Sequence, residues 1–266
     1  MDACEALREQ LDAVVLVGAQ AIYLHTGGAE VALAEATKDS DLALDRRHLA
    51  DDPHLEQAMT AAGFSRHPVH PQPGGWFSPA GVPVDLMVPA ADSGFTSATR
   101  RGVNLPPHDG QSARRTVGLE AAMVDRSPLD VPALAQDDPR RYRINVAGPA
   151  ALLVAKLHKV GERQAANRPG RLNNKDAHDV YRLFVATPTD TLSRAMTRLI
   201  AEPLSATVTT TALTYLRDLF AAGPDAPGSV MAGAAEDGVG DPDTVAAAVS
   251  ALAADLLDGV DVPAES

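Results

Sequence analysis

The chain reads as an α/β protein: a mixed sheet with flanking helices over residues 1–148, then a helical half over 149–266. Three observations predict this. Short apolar, β-branched runs alternate with helical patterns as far as Val146. From Gly148-Pro149 onward long helical patterns take over, with the proline well placed near a helix start. Two of the apolar runs are broken by acid, namely Thr37-Lys38-Asp39-Ser40-Asp41-Leu42-Ala43-Leu44 and Val82-Pro83-Val84-Asp85-Leu86-Met87-Val88.

Residues 2–12 have an amphipathic helical pattern. Ala13–Val17 is a short β-branched run that stops at Gly18, as a buried strand does. Ala19–His25 has helical composition and ends at Thr26-Gly27-Gly28, a glycine stop. Such a strand, glycine turn and helix would aim backbone N–H groups at whatever sits above Gly18. After the Asp39/Asp41 run, residues 53–62 form a helix ending at Gly63. Trp76–Ser78 pairs with Val82–Val88 as a hairpin across Pro79-Ala80-Gly81. Residues 92–114 are polar and rich in Gly, Pro and Arg, and read as a loop.

Val117–Val124 and Arg143–Val146 read as further strands, the second preceded by an Asp137-Asp138-Pro139 turn. The helical half runs through Pro149–Arg163, a basic loop to Arg171, then Lys175–Ala186 and residues 189–222. Residues 223–242 are Gly/Pro/Asp-rich and are expected to be mobile. An alanine-rich helix over 243–258 closes the pattern.

Composition narrows the function classes. No apolar run approaches the roughly 20 residues that span a bilayer, so no membrane partner is expected. The acidic start Met1-Asp2-Ala3-Cys4-Glu5 is unlike the basic start of a signal peptide, and a cytoplasmic protein is the expectation. One cysteine, Cys4, excludes an intramolecular disulfide and a cysteine-rich zinc site. His67 and His70 stand in a proline-rich loop without further ligands, which argues solvent exposure over a transition-metal site. The net charge of −12 is uneven. Residues 1–95 carry −9, residues 96–182 carry +6 and residues 183–266 carry −9. A basic island of this kind favours polyanions. It would also arise from arginines paired with the acidic flanks.

The acid-broken strands carry the chemistry. Alternate side chains of a strand share a face, so Asp39 and Asp41 point the same way. Crowded carboxylates repel unless a cation lies between them. A divalent ion resolves the conflict, and Asp85 from another strand completes an oxygen-rich Mg²⁺ site. Two such ions about 3.5–4 Å apart stabilise both the entering and the leaving oxygen of an in-line displacement.

Gly18-Ala19 after a strand, Asp39-Ser40-Asp41 on the next and Asp85 on a third together resemble the DNA polymerase β-like nucleotidyltransferase superfamily. Two further motifs, Ala155-Lys156-Leu157-His158-Lys159 and Lys175-Asp176-Ala177-His178-Asp179-Val180-Tyr181, look like the motif pair of the AbiEii toxin family, which includes the mycobacterial MenT toxins. The likeness covers roughly residues 13–186. It implies a nucleotidyltransferase-like sheet and Mg²⁺-dependent transfer of a nucleoside monophosphate from an NTP, with release of pyrophosphate. In MenT-like members the acceptor is the 3′ end of tRNA, and an AbiEi-type antitoxin, often a winged-helix regulator, is the usual partner. The superfamily's turn commonly reads Gly-Ser or Gly-Gly, whereas here it reads Gly18-Ala19. Without that hydroxyl, nucleotide binding falls to Gly18 and the backbone N–H groups of Ala19 and Gln20.

On this reading Asp39, Asp41 and Asp85 are the metal ligands, and Asp85 also suits the acceptor's proton. Lys156 would contact triphosphate oxygens. Asp176 would orient Lys156 or another basic group, with Asp179 a structural neighbour. Ordinary explanations stand beside these: Asp39 as a turn cap, Asp85 paired with an arginine, Lys156, Lys159 and Arg163 as a solvated basic helix face, and Asp176 and Asp179 as surface acids paired with Arg163 or Arg182. Lys38 would project to the opposite strand face. Arg100, Arg101, Arg114 and Arg115 flank the polar loop and are candidates to touch an RNA backbone. Two alternatives share parts of the pattern. A small-molecule nucleotidyltransferase, like those modifying antibiotics, would keep the metal site and change the acceptor. A non-catalytic nucleotide-binding module would keep the fold, and Ala19 favours it.

Overall fold

The computed structural model describes residues 1–27, 39–95, 100–133, 137–166 and 174–261. It is mixed α/β with a helical carboxy-terminal half, as predicted. The chain forms two compact units, Met1–Ala21 with Thr37–Gly148, and Ile22–Ala36 with Pro149–Ser266.

The first unit is built on a seven-stranded sheet. Its strands are β1 (Val14–Val17), β2 (Ser40–Leu44), β3 (Gly75–Phe77), β4 (Pro83–Pro89), β5 (Arg114–Thr116), β6 (Arg126–Pro132) and β7 (Arg141–Ala147). The order is β3-β4-β2-β1-β7-β6, with β5 also pairing β4. β1 lies antiparallel to β2 and parallel to β7; β2 and β4 are parallel. All four residues of β1 are buried, which explains its continuous apolar run at the centre of the sheet. The β3–β4 hairpin forms as expected, with Trp76 opposite Val84. Trp76 is buried, donates from its indole N–H to the Ser112 carbonyl at 3.0 Å, and carries the Arg66 guanidinium over its ring. Short helices α1 (Asp2–Ala6) and α3 (Leu55–Ala61) belong to this unit. Between them α2 (Gly18–Thr26) starts directly at Gly18 and crosses the boundary between the units.

One expectation in this unit fails. Val117–Val124 is not a strand: Glu120–Met123 is a 3₁₀ turn. Gly118 takes φ +85°, and the buried Glu120 carboxylate accepts from the N–H groups of Gly118 (2.9 Å) and Ala91 (3.0 Å). Those bonds hold the backbone in a turn that a strand ladder would break. The strands lie on either side, as β5 and β6. β6 contains Pro128 and Pro132, residues that weaken a strand pattern in sequence but are tolerated at a sheet edge, where β6 pairs with β7 alone.

The second unit holds α4 (Pro149–Ala165), α5 (Asn174–Ala186), α6 (Thr189–Ala201), α7 (Ala206–Leu216), α8 (Pro227–Ala234) and α9 (Pro242–Gly259). A π-turn at Arg217–Ala221 extends α7. Asp241 caps α9 by accepting from the Asp243 N–H at 3.1 Å. The stretch expected to be mobile contains α8 instead. Its glycines serve packing: a Cβ on Gly228 would lie 2.6 Å from the Phe220 ring, and one on Gly233 would lie 2.4 Å from the Pro242 carbonyl oxygen. Among the described residues no helix is long and apolar enough to cross a membrane.

Candidate active site

Asp41 and Asp85 are register partners on the parallel strands β2 and β4. Strands lie about 4.8 Å apart, so two paired residues leave the sheet on one face with their side chains adjacent. Both are half-buried. Asp39, two residues before Asp41, sits just ahead of β2 and is exposed. Thr37 and Lys38 lie outside the described residues, as do Gly28 and the basic loop to Arg171.

Gly18 closes over Asp41. With φ +67° it occupies the left-handed region, and a Cβ built there would fall 2.1 Å from Asp41 Oδ2 and 2.8 Å from its Cγ. Only glycine satisfies both demands. The missing methyl is the space in which the carboxylate stands, at the point where β1 turns into α2. The first N–H groups of that helix, including those of Ala19 and Gln20, have no partner within the helix itself. The Gln20 side chain does a separate job. Its Nε2 donates to the Asp39 carbonyl (3.1 Å) and its Oε1 accepts from Ser40 Oγ (3.2 Å), fastening the start of β2 beside the glycine turn.

Asp85 has an arginine partner. Arg114, on β5, donates from Nη2 to Asp85 Oδ2 at 2.8 Å, and each side chain is more than a third exposed. Register explains the meeting, since β5 pairs with β4 and places Arg114 opposite Met87, two residues from Asp85. Sequence flagged Arg114 only as one of four loop arginines.

The site's donors are all hard carboxylate oxygens. Among the described residues, no group of three or more His, Cys, Asp or Glu side chains is arranged to hold a metal ion. The structure therefore brings two of the three predicted carboxylates side by side, with the third near by in sequence. Two carboxylates are what Mg²⁺ commonly takes from a protein when substrate phosphates and water supply the remaining ligands. This donor set fits that ion.

The second unit carries the other motif pair. Lys156, Lys159 and Arg163 recur at helical spacing on α4, and Asp176 and Asp179 do so on α5. Lys156 is buried at 7% exposure, so it is not a member of a solvated basic face. Its ammonium donates to Asp176 Oδ1 at 2.8 Å and lies 2.6 Å from Asp179 Oδ2, at an angle outside that of a regular hydrogen bond. Asp176 also meets Lys159 (3.0 Å) and Arg163 (2.6 Å). Burial alone would lower the Lys156 pKa, but Asp179 and Asp176 outweigh it and hold the group above the ordinary lysine value. Burial likewise pushes Asp176 up, and the Lys156 and Lys159 charges bring it below the ordinary carboxylate range. Lys159 and Arg163 remain 47% and 32% exposed, so the open side of the cluster is cationic.

Among the described residues, Asp45 and Arg182 are two of the groups whose burial the sequence did not reveal. Asp45, just past β2, is fully buried and bound by Arg47, Arg126 and His48. Arg182 is fully buried on α5, donates to Thr26 Oγ1 at 3.0 Å and stacks over the Tyr23 ring at 4.6 Å. A signal existed for Arg182, which continues the i, i+3 stripe of Asp176 and Asp179 on α5.

No family model matches the chain, and no curated protein or solved structure is significantly similar to it.

Proposed function

We propose that the chain is a Mg²⁺-dependent nucleotidyltransferase that moves a nucleoside monophosphate from an NTP to an RNA acceptor, the tRNA 3′ end, as the toxin of a toxin–antitoxin pair. The observation that carries this reading is the pairing of Asp41 with Asp85 in register, with Gly18 packed against the Asp41 carboxylate. The RNA acceptor and the AbiEi-type antitoxin partner rest on the resemblance of the motifs; the basic island supports the acceptor.

In this reading Asp41 and Asp85 would hold Mg²⁺, which when bound supplies positive charge to the phosphate oxygens. Gln20 keeps Asp39 and Ser40 in place, and the N–H groups of Ala19 and Gln20 bind phosphate at the glycine turn. The acceptor hydroxyl attacks the α-phosphorus as the bond to pyrophosphate breaks, and its proton passes to Asp85. Within the second unit, Asp176 gathers Lys156, Lys159 and Arg163 into one cluster, with Lys156 as the buried tie between Asp176 and Asp179.

The decisive experiment supplies labelled NTPs, Mg²⁺ and total tRNA. Labelled RNA is expected, and Asp41→Asn should lower its formation by at least about 100-fold while leaving the fold unchanged. A labelled small molecule without labelled RNA would move the acceptor to the antibiotic class. A non-catalytic module is the second reading, favoured by the Arg114 guanidinium seated on Asp85. It requires no transfer to any acceptor and equal nucleotide binding by Asp41→Ala.

A further inference from the structure

Residues 100–111, part of the stretch that reads as a loop in sequence, line with Pro73 and Phe95 an open cleft of about 530 Å³ in the first unit. That volume lies within the range of small-ligand sites. Phe95, Arg100, Arg101, Gly102, Asn104 and Gln111 contribute to its lining. The walls are built backbone against backbone. A Cβ on Gly94 (φ +73°) would fall 2.3 Å from the Asn104 carbonyl oxygen, and one on Gly102 would fall 2.5 Å from that of Gly110. Hydrogen bonds from Val103 N to Gly110 O (3.0 Å) and from Asn104 N to Ser93 O (2.7 Å) join the same segments. Buried Val103 and Leu105 pin them to the core.

Charge identifies the ligand. The Arg100 guanidinium stacks on the Phe95 ring at 5.0 Å, which occupies its flat face and leaves its in-plane N–H donors at the edge. Arg101 is steadied by donating to Gln72 Oε1 at 3.3 Å. Other arginines of the basic island are neutralised: Arg126 by Asp45, Arg140 by Asp2 and Asp138, and Arg143 by Asp130. Among the described residues neither Arg100 nor Arg101 has a carboxylate within ion-pair distance. Of the two acids in residues 92–114, Asp92 and Asp109, the second accepts at Oδ1 from Gln111 N at 2.6 Å. Two uncompensated guanidinium forks at one cavity match the geometry of a phosphate, and the aromatic ring beside them matches a base or sugar face.

We propose that this cavity binds a nucleotide unit, with Arg100 and Arg101 on its phosphate. Two short connections tie it to the carboxylates. Pro73, in its lining, leads into Gly74, whose carbonyl accepts from Leu86 N (2.8 Å), and Gly75, which is the register partner of Asp85. The Arg101 carbonyl accepts from Arg115 N (2.8 Å), next to the Arg114 that holds Asp85. The preference for phosphate follows from the cavity itself. Placing an acceptor RNA strand there rests on the transferase reading, and a free nucleotide offers the same chemistry.

The test measures binding of a fluorescent single-stranded RNA octamer to the full chain in EDTA, with AMP as competitor and Arg194→Gln, at an exposed arginine of α6, as the control. Both arginines are exposed, so R100Q/R101Q should keep the parent's circular dichroism and melting temperature. It should bind about tenfold more weakly and show a shallower salt dependence, while Arg194→Gln binds like the parent. Displacement by AMP at concentrations near its own affinity makes a free nucleotide the occupant; failure to displace makes it an RNA strand. Unchanged RNA and AMP binding by R100Q/R101Q, or no binding by the parent, overturns the assignment. Binding that obeys these expectations in a protein that transfers nothing leaves the cavity standing and removes the transferase reading alone.

Discussion

Lys156 shows how a single side chain changes meaning on burial. In sequence it begins a basic helix face; in the structure its ammonium is enclosed by Asp176 and Asp179. Removing the cation leaves the buried Asp179 carboxylate without its ion-pair partner, while Asp176 keeps Lys159 and Arg163. Lys156→Met should therefore cost about 3–5 kcal/mol in urea unfolding at neutral pH. A loss under about 1 kcal/mol would show that water or a rearranged Lys159 replaces it. Gly18 was legible for the opposite reason. A glycine between an apolar β-branched run and a helical pattern announces a turn, and the structure adds that the turn presses on Asp41. Arg114 was not legible as the partner of Asp85, because 29 residues separate them and only the β4–β5 pairing brings them together.

Elements were legible where pattern and environment agreed. β1, β2, the β3–β4 hairpin, α4, α5 and α9 each lie where their residue pattern predicts them. The failures have specific causes. Glu120 uses its carboxylate to stabilise a turn, a local bond that apolar composition does not reveal. α8 looks like a linker because glycine and proline usually loosen a chain, yet Pro227 begins the helix and Gly233 lets α9 approach. Gly233→Ala would drive a methyl into the Pro242 carbonyl, an atom fixed in the first turn of α9. The expected loss is about 1–3 kcal/mol by thermal or urea unfolding. A neutral or stabilising effect, the usual result of replacing an exposed helical glycine, would show that the helices can part.

Across the whole molecule, acidic net charge conceals a set of buried carboxylates that need to stay ionised. Burial raises the Asp45 carboxyl, but Arg47 and Arg126 overcome it and hold the group far below the ordinary carboxylate range. Asp176 is lowered in the same way. Groups depressed in the folded state contribute stability that is complete above their unfolded pKa, about 4, and is lost as pH falls below it. Asp92, raised first by burial and then by Asp45, opposes this trend. Urea midpoints should hold steady between pH 7 and about 5 and then fall steeply toward pH 3. Asp45→Asn should lower the neutral-pH midpoint and flatten that acid limb. An acid limb of unchanged steepness would place the titrating groups elsewhere.

By itself the sequence determined the mixed α/β class, the change to helix near Gly148 and the alternation that turns Asp41 toward one sheet face, because periodicity and turn residues act over a few positions. Tertiary structure decided the pairing of Asp41 with Asp85, the arginine on Asp85, the enclosure of Lys156 and the cavity beside Arg100 and Arg101. Each of those depends on strand order and helix packing, which join residues far apart in the chain and leave no period in the sequence to read.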